Sequence, residues 1–175
     1  MPPDLASRLG RAELTYPEVG QTTAADLPSG YHHVRRAQAI GQGAEAFEAA
    51  GQAVLRWHVQ AGAGLRVHAS SPVVIPGALA LVSLRVGPVG FDAPCRVVYV
   101  LDDDRRKGFG YGTLPGHQES GEEAFVVQLE PDEKVTLNVT AFSRPATLLA
   151  KVGSPVSRAV QEYVTRRYLQ ALAVR

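Results

Sequence analysis

The amino-acid sequence predicts an α+β fold in which a curved antiparallel β-sheet wraps around a long C-terminal helix. Between residues 65 and 142 the apolar positions follow the spacing of strands, with charged turns at Asp102–Lys107 and Glu130–Lys134. After Pro145 the spacing becomes helical, because apolar side chains recur every four residues at Val156, Val160, Val164, Tyr168 and Leu172. Ser154 is expected to cap this helix, with Pro155 in its first turn.

The N-terminal part of the chain is predicted to be less regular. Residues 1–30 contain scattered prolines and glycines, so we expect an irregular segment that packs on a single domain spanning residues 31–175. Within that segment Asp4–Arg11 has the length of a short helix. A strand is expected over Tyr31–Ile40, followed by one continuous helix over Ala44–Gln60.

The central strands follow from their composition and alternation. Val135, Leu137, Val139 and Ala141 alternate with polar or larger neighbours, as in a half-buried strand. The order of strand, helix, strands and long helix predicts a helix-grip architecture, in which a sheet curved around a helix leaves an apolar cavity open at one end. The strands are expected at Leu65–His68, Ala78–Val86, Arg96–Leu101, Gly108–Thr113, Ala124–Leu129 and Lys134–Phe142.

Composition argues against several classes of function. The formal net charge of +1 gives no general electrostatic attraction for nucleic acid. The single cysteine, Cys95, cannot form an intramolecular disulfide or a cysteine-based zinc cage. The longest apolar run, Val73–Val82, is far short of the roughly 20 residues of a membrane-spanning helix. We therefore expect a cytoplasmic protein without a membrane span and without a cofactor.

The segment Phe109–Phe125 is the most unusual part of the chain. Its seventeen positions hold four glycines, one proline, one histidine and three carboxylates. We expect a bend at the rim of the cavity, with His117 and Glu119 on one face of an extended segment. Three interpretations remain open: a polar cluster that contacts a ligand, an acid–base or metal site, or a structural loop. We predict no metal site and take His117 and Glu122 as the acid–base candidates.

Further polar side chains flank this segment. We expect Tyr111, Thr113, Ser143 and Arg144 to add contacts, and Arg144 to pair with Glu122 or Glu123. Ser143 lacks the Gly-x-Ser-x-Gly turn of a serine nucleophile. Trp57 is expected in the core or in the cavity wall.

Several motifs of the chain resemble those of one family. They are Gly110-Tyr-Gly-Thr-Leu-Pro-Gly-His117, Ser120-Gly-Glu-Glu-Ala-Phe125 and Ala141-Phe-Ser-Arg-Pro145, with Tyr16-Pro-Glu-Val-Gly20, Gly41-Gln-Gly43, Phe47, Trp57, Gln161 and Arg167-Tyr168. Together they resemble the domain of unknown function 1990 family, which has no established activity. The resemblance implies that Tyr111, Gly112, Thr113, His117, Glu122, Glu123, Ser143 and Arg144 form a shared site or a shared bend.

The element order is also similar to that of START and Bet v 1 proteins. Members of that superfamily commonly bind apolar small molecules, and some are cyclases, hydratases or lyases. We therefore expect a small apolar, amphipathic or lipid ligand between the sheet and the C-terminal helix. A metal-independent enzyme that uses His117 or Glu122 as acid–base, and a structural or interaction module, are the alternatives. The expected ligand contacts are Tyr111, Thr113, His117, Glu122, Glu123, Ser143, Arg144 and Trp57.

Overall fold

A computed structural model describes residues 1–86, 89–146 and 154–172, without the side chains of residues 86, 89 and 154–160. The helices in these ranges are α1 (Pro3–Arg11), α2 (Gly43–Val54), α3 (His58–Gly62) and α4 (Ser154–Ala171), with a 3-10 turn at Gln21–Thr23. The strands are β1 (His32–Gln42), β2 (Arg66–Ala69), β3 (Leu79–Val86), β4 (Val89–Asp102), β5 (Arg106–Thr113), β6 (Glu119–Leu129) and β7 (Lys134–Pro145).

The described strands form one curved antiparallel sheet in the order β1-β7-β6-β5-β4-β3-β2. The chain runs from β2 to β7 as a meander, and β1 closes the far edge by pairing with β7. Helices α2, α3 and α4 pack on the inner face of the sheet, where Phe47 of α2 and Tyr168 of α4 join Phe109 and Phe125 in the core. This architecture confirms the predicted α+β helix-grip fold.

The C-terminal helix is oriented by the apolar row predicted from the sequence. Tyr168 is buried in the core, and Val164 and Leu172 pack against its edge. The first members of the row, Val156 and Val160, and the expected cap by Ser154 lie outside the described side chains. The described part of α4 therefore presents its expected apolar face to the sheet.

The single helix predicted over residues 44–60 is wrong, because the structure contains two shorter helices there. Trp57 lies between them with a left-handed backbone (φ 64°), a conformation that costs about 1–2 kcal/mol for a residue with a side chain. Its indole is buried edge-on against Phe109, with ring centroids 5.1 Å apart, and its Nε1 donates to the carbonyl oxygen of Ser71 at 3.2 Å. Tertiary packing of one aromatic ring thus overrides helical periodicity.

The bend predicted at residues 109–123 is shorter than expected. Strand β6 begins at Glu119, where Glu119 pairs with Pro145 and Glu122 pairs with Phe142 of β7. This backbone pairing outweighs the weak strand preference of glutamate and glycine. The turn is confined to residues 114–118, so Glu122 and Glu123 are strand residues that point to opposite faces of the sheet.

The N-terminal segment lies along the outer face of the sheet. Leu9 of α1 packs with Leu79 and Leu114. The guanidinium of Arg96 donates to the carbonyl oxygens of Leu9, Gly10 and Ala12 at 2.7, 3.1 and 2.9 Å. A cation at the C-terminus of α1 satisfies carbonyl groups that the helix leaves unpaired.

Glycines at alternate positions of β5 leave the outer face of this strand without side chains, and aromatic rings from other parts of the chain pack there. A Cβ atom at Gly112 would collide with the ring of Tyr16, whose Cε1 would lie 2.7 Å away, and one at Gly110 would meet Cζ of Tyr99 at 2.6 Å. Real Cβ atoms almost never approach so closely. Two glycines of the unusual segment are therefore explained by the aromatic rings that lie flat against the strand.

We predict that Gly112→Ala lowers the free energy of unfolding by about 1–3 kcal/mol, because the added methyl group must displace the ring of Tyr16. Chemical denaturation measures the difference. Gly10→Ala is the matched control, since its new Cβ would meet only Leu79 at 3.9 Å in a helix that favours alanine. Equal stability of the Gly112 variant and the wild type would contradict the role assigned to this glycine.

Candidate functional site

A cavity of about 570 Å³ lies between the sheet and α4. Its apolar lining comes mainly from β3 and β4 through Val82, Leu84, Phe91 and Ala93. Its polar lining comes mainly from the other half of the sheet and from α4. These polar residues are Tyr111, Thr113, His117, Gln118, Glu119, Glu122, Glu123, Ser143, Gln161, Thr165 and Tyr168. The cavity is therefore mainly apolar on the side of β3 and β4, where Asp92 is the charged lining residue, and mainly polar on the other side.

Glu123 and Tyr111 form the most distinctive polar pair in the cavity. They lie opposite each other on β6 and β5, and the hydroxyl of Tyr111 donates to Oε2 of Glu123 at 2.8 Å. Protein surrounds Glu123, and the accessible part of its surface belongs to the cavity wall. Burial raises the pKa of Glu123 to about 7, although the hydrogen bond from Tyr111 acts in the opposite direction.

Two further ionisable groups surround this carboxyl. Tyr168 of α4 lines the cavity, and its ring packs edge-on against Phe125 with centroids 4.8 Å apart. Burial and then the nearby Glu123 raise the pKa values of Tyr111, Tyr168 and Cys95. Both tyrosines and the thiol therefore remain neutral near pH 7, and Glu123 is the member of this cluster that titrates there.

His117 lines the cavity at the turn between β5 and β6. Its Nδ1 accepts the backbone N–H of Glu119 at 2.9 Å, so the proton of the neutral ring is assigned to Nε2. Burial lowers the pKa of His117 to about 4. His117 belongs to the turn and not to an extended segment as predicted, but His117 and Glu119 both line the cavity, which agrees with the prediction that they share one side. Near pH 7 His117 is a neutral hydrogen-bond donor.

Glu122 contributes to the cavity wall, but its carboxylate serves the outer face of the sheet. Oε2 accepts from the hydroxyl of Tyr16 at 2.6 Å and from the N–H of Gly20 at 2.7 Å. Oε1 accepts from the N–H of Thr22 at 3.0 Å and from its hydroxyl. Only 2% of Glu122 is exposed. The carboxylate is an anchor for residues 16–22, and neither oxygen is free to act as the predicted acid–base.

The structure separates the remaining predicted ligand contacts. Ser143 lines the cavity and accepts from Nε2 of Gln161 at 3.3 Å, which links β7 to α4. Thr113 also lines it, but its hydroxyl is already hydrogen-bonded to Gly121 and Thr15. Trp57 does not line the cavity and belongs to the core.

Arg144 also lies outside the set of residues that line the cavity. Its guanidinium stacks on the ring of Tyr31, 4.7 Å from the centroid. The predicted pair of Arg144 with Glu122 or Glu123 is wrong, because Tyr16, Gly20 and Thr22 hold one carboxylate and Tyr111 holds the other.

Sequence reasoning placed the ligand against the C-terminal helix but named none of the side chains that α4 contributes to the cavity. Gln161, Thr165 and Tyr168 all line the cavity, and Tyr168 was expected only as a core residue. Their spacing of four and three residues places them on one helical face, with Gln161 and Thr165 beside the apolar row that contains Tyr168. The sequence could have indicated this polar part of the cavity, because Gln161 and Thr165 each directly follow an apolar residue of the row.

Two classes of site are not found in the described structure. Within residues 1–86, 89–146 and 154–172, no three His, Cys, Asp or Glu side chains are close enough together to hold a metal ion. None of the described helices combines the length and apolarity needed to cross a membrane.

The family model for the domain of unknown function DUF1990 matches residues 15–171, and the chain therefore belongs to this family. The chain is 33% identical over 172 residues to a UPF0548 protein of Deinococcus radiodurans, covering 90% of this chain and 85% of that relative. It is 30% identical over 140 residues to a UPF0548 protein of Arabidopsis thaliana, covering 76% of this chain and 67% of the relative.

Solved structures share the fold at low sequence identity. A hypothetical protein of Helicobacter pylori has a TM-score of 0.57 at 9% identity and covers 92% of this chain and 94% of its own. A norcoclaurine synthase of Thalictrum, solved with a transition-state analogue, has a TM-score of 0.53 at 9% identity, covering 83% and 98%. Ara h 8.0201 has a TM-score of 0.50 at 14% identity, covering 82% and 99%. These are Bet v 1-like helix-grip folds, in agreement with the sequence-based expectation.

We predict that Glu122→Gln loosens the N-terminal segment and lowers the free energy of unfolding by about 3 kcal/mol. Each oxygen of Glu122 accepts a hydrogen bond from a backbone N–H. In either orientation of the glutamine side chain, its NH₂ group would therefore face one of these N–H donors and leave that donor without an acceptor. Trypsin cleavage after Arg11 and urea denaturation measure the two effects. Tyr16→Phe removes one donor only and should cost about 1 kcal/mol. An unchanged cleavage rate in the Glu122 variant would contradict the anchoring role.

We predict a pH-dependent stability difference between wild type and Glu123→Gln. The pKa of Glu123 rises from 4.5 to about 7 on folding, so the folded chain keeps a proton that the unfolded chain has released. This contribution to stability is fully present below pH 4.5, is lost as pH rises from 4.5 through 7, and changes little above that. Urea denaturation should therefore show the variant gaining about 2 kcal/mol relative to wild type between pH 5 and pH 8.

The matched control for this measurement is Glu13→Gln, at an exposed carboxylate. Its stability should follow that of the wild type across the same pH range. If the Glu123 variant also runs parallel to the wild type, the raised pKa of Glu123 is refuted.

Proposed function

We propose that the protein binds a small amphipathic molecule, with an apolar body and a polar end, inside the cavity between the sheet and α4. The observation that carries this proposal is the cavity itself. Its volume of about 570 Å³ lies within the range of roughly 300–1,000 Å³ that is typical of small-molecule sites. Its division into an apolar side on β3 and β4 and a polar side on β5 to β7 matches such a ligand.

The polar groups on the cavity side define how the ligand would be held. Glu123 and Tyr111 offer their hydrogen-bonding groups from the strands β6 and β5, whereas His117 offers its group from the turn that joins these two strands. His117 can donate through Nε2, and Ser143 on β7 and Gln161 on α4 offer neutral hydrogen-bonding groups. A few oriented polar groups within apolar walls are the usual source of ligand orientation and specificity.

The structural relatives support small-molecule binding at the level of the fold. The norcoclaurine synthase in this set was solved with a transition-state analogue, so the shared architecture accommodates a small molecule in that protein. At 9% identity the likeness carries no information about the ligand of this chain. The chemistry of the ligand must come from the cavity of this chain.

Acid–base catalysis on the bound molecule is a second candidate, favoured by the position of Glu123. A carboxyl group inside an apolar cavity, hydrogen-bonded to Tyr111 and with a pKa of about 7, can exist in either protonation state near neutrality. In this version Glu123 replaces Glu122 as the acid–base group, because the anchored residues 16–22 occupy Glu122.

The alternative of a structural or interaction module explains the hydrogen bonds of Glu122 and the glycines of β5, but it gives no role to the cavity.

We predict that filling the cavity weakens ligand binding. Leu84→Trp enlarges a side chain of the apolar wall, and a steric cost of about 1–3 kcal/mol corresponds to a loss of affinity of about 5- to 150-fold. Fluorescence titration with the neutral apolar dye N-phenyl-1-naphthylamine measures binding, and native mass spectrometry detects any co-purified ligand. Both measurements use the full-length chain.

The control is Val73→Trp, a larger residue at an exposed position outside the cavity. It should bind the dye like the wild type. Wild-type protein that binds no dye and carries no co-purified ligand would refute the proposed function. Equal dye affinity of the wild type and the Leu84 variant would place binding elsewhere on the molecule.

A further inference from the structure

The described cavity lining contains charged side chains of one sign only. They are Asp92, Glu119, Glu122 and Glu123, and no lysine or arginine is found among the described lining residues. The chain as a whole has a net charge of +1, so this bias is local. An apolar cavity with acidic groups and without a basic group has a defined preference for the charge of its ligand.

These carboxylates differ in how far their charge is already compensated. Asp92 accepts from Ser83 at 2.6 Å and forms an ion pair with Arg85 at 3.5 Å. Glu119 has interactions of its own, and Glu122 is held by the four donors of the N-terminal segment. Glu123 accepts one hydrogen bond, at Oε2 from Tyr111, and its Oε1 has no recorded partner among the described residues.

We propose that the cavity selects amphipathic amines, with an apolar body against β3 and β4 and an ammonium group at Glu123. This inference rests on the proposed function and assigns its ligand class. An ammonium group has three donors, of which one reaches Oε1 of Glu123 and another the hydroxyl oxygen of Tyr111. The rings of Tyr111 and Tyr168 on the cavity wall add attraction for a cation.

The competing ligand classes fit this cavity less well. A fatty acid or another anion would bring a second negative charge into an apolar space where no described side chain supplies a positive one. A neutral alcohol would leave the negative charge of Glu123 without a counter-charge. A cation instead compensates a carboxylate that is otherwise difficult to ionise in this environment.

The pH dependence follows from the titratable groups around Glu123 and in the cavity lining. Tyr111 of β5, Tyr168 of α4 and Cys95 of β4 have raised pKa values, and His117 of the turn has a pKa lowered to about 4. All four therefore stay neutral between pH 6 and pH 8. Glu123, with a pKa of about 7, becomes ionised over this interval. Amine affinity should rise about tenfold from pH 6 to pH 8, in proportion to the ionised fraction of Glu123.

Three ligands of one chain length test the inference on the full-length wild type. Decylamine, decanol and decanoate are titrated by displacement of N-phenyl-1-naphthylamine at pH 6 and at pH 8. At pH 8 the amine should bind about tenfold or more tightly than the alcohol, and decanoate should bind most weakly. The pH comparison needs no variant, so it remains informative if a substitution disturbs folding.

Variants then assign the selectivity to Glu123. Glu123→Gln should bind decylamine no more tightly than the same variant binds decanol, and it should abolish the pH dependence of amine binding. Glu13→Gln, at an exposed carboxylate outside the cavity lining, should keep the amine preference.

The outcomes separate the inference from the proposed function. If decanol or decanoate binds as tightly as decylamine, the amine assignment is overturned while the binding function stands. If the Gln variant keeps the amine preference, Glu123 is not the counter-charge and the assignment is equally overturned. If the dye and all three ligands fail to bind, the proposed function and the inference fail together.

Discussion

The alternation of side chains along β6 is the constraint on which both faces of this protein depend. Glu122 and Glu123 are neighbours in an extended strand, so one carboxylate points outward and the other inward. The outward carboxylate fixes the N-terminal segment through Tyr16, Gly20 and Thr22. The inward carboxylate meets Tyr111 in the cavity. A shift of one residue in strand register would exchange these roles and leave both carboxylates without their partners.

The two carboxylates show how environment decides the chemistry of one residue type. Glu122 is buried, but its two oxygens accept hydrogen bonds from two backbone N–H groups and two hydroxyl groups. Glu123 receives one hydroxyl group, which does not compensate its loss of water, and its pKa rises to about 7. Geometry therefore assigns a structural role to the first carboxylate and leaves the second available for chemistry.

Patterns in the sequence correctly predicted those strands and helices whose positions follow from the local spacing of apolar residues. The apolar alternation in β7 and the four-residue row around Val164 and Tyr168 were sufficient for the strand and helix that enclose the core. They were not sufficient for the helix break at Trp57, because a left-handed tryptophan is stabilised by a distant ring, Phe109. The partner of Glu123 was equally inaccessible, since the Tyr111–Glu123 pairing depends on a register set by the turn at residues 114–118. Composition drew attention to the segment that holds Glu122 and Glu123, and only the strand register assigned these two residues to opposite faces.

The environment of Glu123 also favours a functional over a purely structural role for the cavity. Burial of an ionisable side chain beside one phenol opposes stability near neutral pH, and a glutamine of the same shape would avoid that loss. Residues that oppose stability in this way concentrate at binding and catalytic sites, where a ligand supplies the missing interaction. The outer face of the sheet differs from the cavity. There, donors satisfy the oxygens of Glu122, and aromatic rings pack against the glycines of β5. The unmatched oxygen of Glu123 is therefore the position at which we propose that a ligand of complementary charge binds.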